Sequence, residues 1–188
     1  MSTEKTAQEQ LSKELAEMME RINKLKSKIP ANISITSSAL RENWPSLEST
    51  LREAGWYPER SIDISPFLSN KNPHANKINT IAAEFIAKLN NLSIKFPLNK
   101  KDSTYTYHFD AESAMRNYPI DLRKDDEDLL KTKLCPVGIS EDEYIILLIA
   151  ETGQVFASVD TDLRFVANSY QEALEKLNRN EPFQPIEL

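Results

Sequence analysis

The stretch Ala54-Gly55-Trp56-Tyr57-Pro58-Glu59-Arg60 constrains this chain most, because it is one of very few places where a helix can end cheaply. Only three glycines occur in 188 residues: Gly55, Gly138 and Gly153. A glycine just past an amphipathic run, here the segment holding Leu47 and Leu51, supplies the left-handed backbone that stops a helix without a Cβ penalty. Large groups follow at once on a chain stiffened by proline. Such a segment fixes how a helix hands over to a strand, and nothing in it is a catalytic device.

Hydrophobic periodicity organises the rest. Residues 1–30 form an expected N-terminal amphipathic helix: Thr6 with Glu9 fits a capping box, and Leu11, Leu15, Met18, Ile22, Leu25 and Ile29 recur at four- and three-residue steps until Pro30. The repeat is short for an autonomous coiled coil. Its stripe is expected to pack on its own domain or on a neighbouring copy, which makes a homodimer through residues 6–29 one reading. Residues 31–44 form a polar connector, with Ser37 and Ser38 as candidate caps.

Pro45 suits the first turn of a helix running to about Ala54. A short strand is expected at Ser61–Ile64, then a loop around Pro66 and residues 70–74. Ile78, Ile81, Ala82, Phe85, Ile86 and Leu89 make one helical face. Leu92–Phe96 and Tyr105–Phe109 alternate as strands do. Asp110 is placed to cap a short helix through Met115, and Asp121–Lys133 reads as a charged helix leading into Leu134–Gly138. Tyr144–Ala150 is a buried strand by composition, Glu151–Gly153 a tight turn and Gln154–Ser158 its hairpin partner. Ser169 with Glu172 opens a last helix, and residues 181–188 are a tail. The clearest strand pair is a hairpin. The expected fold is therefore α+β, a largely antiparallel sheet with helices packed against it.

Charge and composition narrow the function. The formal net charge is −6. Residues 1–30 hold six basic and five acidic side chains, so residues 31–188 carry −7. That argues against direct binding of nucleic acid through its phosphates. Tyr144–Ala150 is far too short to span a bilayer, which needs about 20 apolar residues. The polar face of the N-terminal helix mixes both signs, unlike a membrane-surface helix. The N-terminus does not read as a signal peptide, and Cys135, the single cysteine, allows no internal disulfide. A cytoplasmic home is the expectation.

Catalytic devices are missing from the pattern. Phosphate-cradling loops need clustered glycines, so no nucleotide cofactor is expected. His74 and His108 are the only histidines, and neither has a second ligand at metal spacing. Cys135 precedes Pro136 in an apolar context and reads as a small buried hydrophobe. Two acidic runs remain, Asp125-Asp126-Glu127-Asp128 and Glu141-Asp142-Glu143. Paired carboxylates serve glycoside hydrolysis or hard-metal binding in some proteins, but consecutive acids on a helix point in different directions. Two readings stand for these seven residues: a solvated face, or an electronegative docking surface for a basic partner.

The blocks in order resemble a known family. Ala54-Gly55-Trp56-Tyr57-Pro58-Glu59-Arg60 with Ile62-Asp63 is similar to the opening of the third subgroup of SUKH immunity proteins, although Glu59 stands where that family often has glycine. Phe109-Asp110-Ala111-Glu112 with Ala114, then Leu134-Cys135-Pro136-Val137-Gly138, resemble its middle blocks. Tyr144–Ala150, Gly153–Phe156 and Tyr170–Leu174 resemble its closing strand, turn, strand and helix. The resemblance covers about residues 45–180. It implies a non-enzymatic bacterial protein that binds and neutralises a cognate toxin with a basic, nucleic-acid-acting surface, such as a nuclease or deaminase. It makes Gly55, Trp56, Arg60, Pro136, Gly138 and Gly153 framework residues. The alternative is a regulatory or scaffold module that uses the N-terminal helix as an oligomerisation handle.

Overall fold

In a computed structural model, residues 47–69, 72, 75–98, 103–160 and 162–186 are described; the N-terminal amphipathic helix, the connector, Pro45 and His74 lie outside them. Helices α1 (Glu48–Glu53), α2 (Ser65–Leu68) and α3 (Thr80–Leu89) come first, with a 3-10 turn at Ala75–Lys77. Strands β1 (Leu92–Pro97) and β2 (Thr104–Phe109) lead into α4 (Ala111–Asn117) and α5 (Ile120–Leu130). Then follow β3 (Leu134–Ser140), β4 (Ile145–Ala150), β5 (Val155–Val159), β6 (Asp162–Ala167), α6 (Tyr170–Asn178) and β7 (Gln184–Pro185). The strands form one antiparallel seven-stranded sheet whose spatial order equals chain order. The α+β expectation is borne out.

Gly55 sits at φ +92°, past the end of α1. Its N–H donates to the Arg52 carbonyl and the Trp56 N–H to the Leu51 carbonyl, the paired bonds of a Schellman stop. Leu51 and Trp56 then join the same core. The chain does not continue into a strand. Residues 61–64 run as irregular backbone beside α3, with the Ile62 N–H on the Ala87 carbonyl, and Pro66 helps start α2. The expected strand at Ser61–Ile64 is corrected on that ground: its backbone is spent on a helix rather than a sheet ladder. Arg60 follows the same course. Its guanidinium donates to the carbonyls of Lys88 (2.6 Å) and Asn90 (2.7 Å), closing the C-terminal end of α3.

Side-chain caps set the helix starts. Asn79 accepts from the Ala82 N–H, Asp110 from Ser113 and Ser169 from Glu172. The buried face of α3 is Ala82, Phe85, Ile86 and Leu89. With α1 and α6 it covers one side of the sheet, against Ile94, Phe109, Val137, Leu147 and Ile149. On the other side, over β3–β6, Ala114, Tyr118, Leu122 and Leu130 meet Ile139, Ile146, Leu148 and Phe156, while Ala111 and Met115 of α4 join the first cluster. Every residue of β3, and all but the first of β4, is therefore buried. β1 differs: Ser93, Lys95 and Pro97 face outward and exposed.

β3 carries two apparent strand breakers. Pro136 is accommodated because the β3–β4 register shifts between Pro136 and Gly138, a bulge that removes the need for a regular ladder there. A Cβ on Gly138 would lie 2.8 Å from a ring carbon of Phe109, so glycine is required by proximity. Gly153, at φ +91°, turns β4 into β5. The stretch expected as a tail supplies β7 on β6 and sets Phe183 against the core.

Candidate partner-binding surface

The two acidic runs lie at opposite ends of β3. One is on α5, whose Glu127 receives the Leu134 N–H at the start of the strand; the other follows Ser140 at its end. Six strand steps separate those ends by about 20 Å. The structure does not gather the seven carboxylates into one cluster.

On α5 the run divides by helical direction. Asp126 is 5% exposed and accepts a hydrogen bond from the Tyr118 hydroxyl. Burial raises its pKa, against the pull of that bond. Arg123, also buried, donates to the carbonyls of Met115 and Tyr118 and lies over the Tyr118 ring. Glu127 pairs with Lys77 at 2.5 Å and holds the Leu134 N–H, fastening α5 to the 3-10 turn and to β3. Only Asp125 and Asp128 of this run face solvent.

The turn between β3 and β4 is built around Asp142. Its carboxylate accepts from the Ser140 hydroxyl (2.6 Å), the Tyr105 hydroxyl (2.6 Å) and the Tyr144 N–H (3.2 Å). Those bonds hold its pKa below the ordinary carboxylate value. Burial and Asp142 push the Tyr105 hydroxyl up to about 12, so it remains a donor. Glu141 and Glu143 point outward, with Glu143 at φ +60° shaping the bend. Tyr144 is 54% exposed, an aromatic ring at the rim. Asp160, in the β5–β6 turn, donates its N–H to the Tyr144 carbonyl and adds another exposed carboxylate. Asp160 carried no signal in the sequence, since only strand pairing brings it to this turn.

Among the described residues, His108 and Cys135 are both held in structural contacts. His108 is half-buried and its Nδ1 lies 2.8 Å from the Ser93 hydroxyl across β1 and β2. Among the described residues no carboxylate is bonded to its other ring nitrogen, so the pair lacks the orienting third group of a nucleophilic triad. Cys135 is fully buried and burial pushes its thiol up to about 12. That is the opposite of an activated thiolate. No group of three or more His, Cys, Asp or Glu among the described residues is arranged to hold a metal ion, and none of their helices is long and apolar enough to cross a membrane.

The fold is an antiparallel α+β module with exposed carboxylates at both ends of β3. The SUKH-3 immunity protein family matches residues 45–180, and the chain belongs to that family. No curated protein and no solved structure matches it.

Proposed function

We propose that this protein binds a cognate toxin and neutralises it by direct contact, and that the toxin acts on nucleic acid as a nuclease or deaminase does. Membership of the SUKH-3 immunity family over residues 45–180 carries the reading. The charge of the chain agrees with it: residues 31–188 carry −7. A toxin that grips phosphates exposes basic surface, and an acidic inhibitor meets it with complementary potential that raises the association rate. Cytoplasmic residence belongs to the same proposal, as the place where such a toxin would be intercepted.

The proposal places the toxin gene beside this one; co-expression with the toxin domain encoded in that adjoining reading frame is expected to restore growth, and the purified pair is expected to co-elute in gel filtration at low salt. Failure to co-elute, with growth unrestored, overturns the proposal.

A further inference from the structure

We propose that the partner docks on the end of the sheet that carries the β3–β4 turn, straddling that turn with an apolar side chain on one side and an arginine or lysine on the other. This rests on the toxin-binding reading above and names the surface through which it acts.

The two acidic segments are not equivalent. On α5 the exposed carboxylates Asp121, Asp125 and Asp128 are matched by exposed Lys124, Lys131 and Lys133 in and just after the helix. That surface is close to neutral. At the other end of β3, Glu141, Asp142, Glu143 and Asp160 are all exposed, and none enters an ion pair among the described residues. Asp162, close by on β6, is balanced by Arg164 at 3.3 Å. Lys100 and Lys101, in the link between β1 and β2, lie outside the described residues.

Shape supplies a second, independent observation. Two clefts open on either side of this turn. One, of about 280 Å3, is an apolar groove walled by Phe96, Leu98, Tyr105, Ile145 and Phe183. The other, of about 420 Å3, lies on the uncovered outer face of β1 and β2. It is lined by Ser93, His108, Asp110, Ser113, Glu141 and Glu143, and by no lysine or arginine. Tyr105 links the groove to the turn, with its ring in the groove and its hydroxyl on Asp142. Tyr144 stands exposed at the turn, adjoining Glu143.

An apolar pocket for an anchor, an exposed aromatic and a rim in which carboxylates outnumber the neighbouring Lys95 of β1 make up the anatomy of a binding hot spot. The polar cleft has acceptors on several walls, which suits the planar, multi-donor guanidinium best. The occupant that satisfies both clefts is a protein surface bearing a cation beside an apolar side chain. Nucleic acid is disfavoured, because its phosphates would meet four carboxylates.

The test uses the full chain and a catalytically inactive form of the toxin domain from the adjoining reading frame, with affinity measured by calorimetry. Glu141→Lys with Glu143→Lys is expected to weaken binding by about a hundredfold and to flatten its salt dependence. Leu98→Glu, at the groove wall, is expected to weaken it about tenfold or more. Asp125→Lys with Asp128→Lys is expected to change it less than about threefold. Thermal melting confirms that each variant is folded; Tyr144→Ala, at a solvent-facing ring, provides a further variant with an expected loss of about tenfold. Wild-type binding that survives the turn and groove variants but falls with the α5 pair overturns the docking surface and leaves the function standing. No complex with the wild-type protein overturns both.

Discussion

Adding one methyl group at Gly138 tests the packing of the whole sheet. Its backbone does not have a positive φ, so any cost of Gly138→Ala is steric. The new Cβ would sit 2.8 Å and 3.2 Å from two carbons of the Phe109 ring and 3.4 Å from the His108 carbonyl oxygen. Comfortable carbon contacts begin near about 3.5 Å, so the ring must retreat by roughly 0.7 Å or more. It has little room. Phe109 is fully buried and meets Phe85 edge-on, with centroids 5.3 Å apart. Overpacking of this kind costs about 1–3 kcal/mol, and the stiffer unfolded chain of alanine returns about 0.4–1 kcal/mol. The net expectation is a loss of about 1–2 kcal/mol, or roughly 2–8 °C in Tm for a chain of this size.

Phe109→Leu should open the needed space, so the double variant is expected to be more stable than additivity allows by about 1 kcal/mol. Urea denaturation of the four proteins in the cycle measures both quantities. A Gly138→Ala protein within about 0.5 kcal/mol of wild type, or strictly additive effects, would refute the argument that proximity to Phe109 demands glycine.

Other outcomes follow from groups held inside the fold. Arg60→Ala removes two guanidinium bonds from the end of α3 and is expected to cost about 2–4 kcal/mol in urea denaturation, with Arg60→Lys recovering part of it; equal stability of all three proteins would count against the cap. Asp126 has a raised pKa, so this group destabilises the folded state progressively as pH rises from the ordinary value of 3.8 through its folded value. The stability of Asp126→Asn relative to wild type is therefore expected to improve between about pH 4 and pH 7, and a trend of the opposite sign in denaturation curves would contradict the burial argument. Cys135 is expected to resist a thiol reagent at pH 8 in the native protein and to react in denaturant; complete native labelling within minutes would show that it is not enclosed.

Elements with a strong local signal were legible in the sequence. The β4–β5 hairpin, α3 and the Ser169-capped α6 all announce themselves through periodicity, caps and turn residues. β3 was harder to read, because Pro136 and Gly138 look like breakers until a bulge and the Phe109 ring are seen beside them. The Ser61–Ile64 segment failed for the converse reason. Its short alternation is real, but tertiary contact with α3 decides its path. The acidic runs were visible as composition, whereas their separate fates depend on helical phase at Asp126 and Glu127 and on strand pairing at Asp160. No local pattern encodes either.

Because strand order in the sheet repeats chain order, each strand pairs with the strand made before it, through a short link at four of the six pairings and across intervening helices at β2–β3 and β6–β7. Pairings are mostly short-range in sequence, and such topologies fold fast for their size. Most of the sheet can then form as the chain leaves the ribosome, without waiting for a distant segment. If the proposed toxin-binding role holds, this shortens the interval between synthesis and protection.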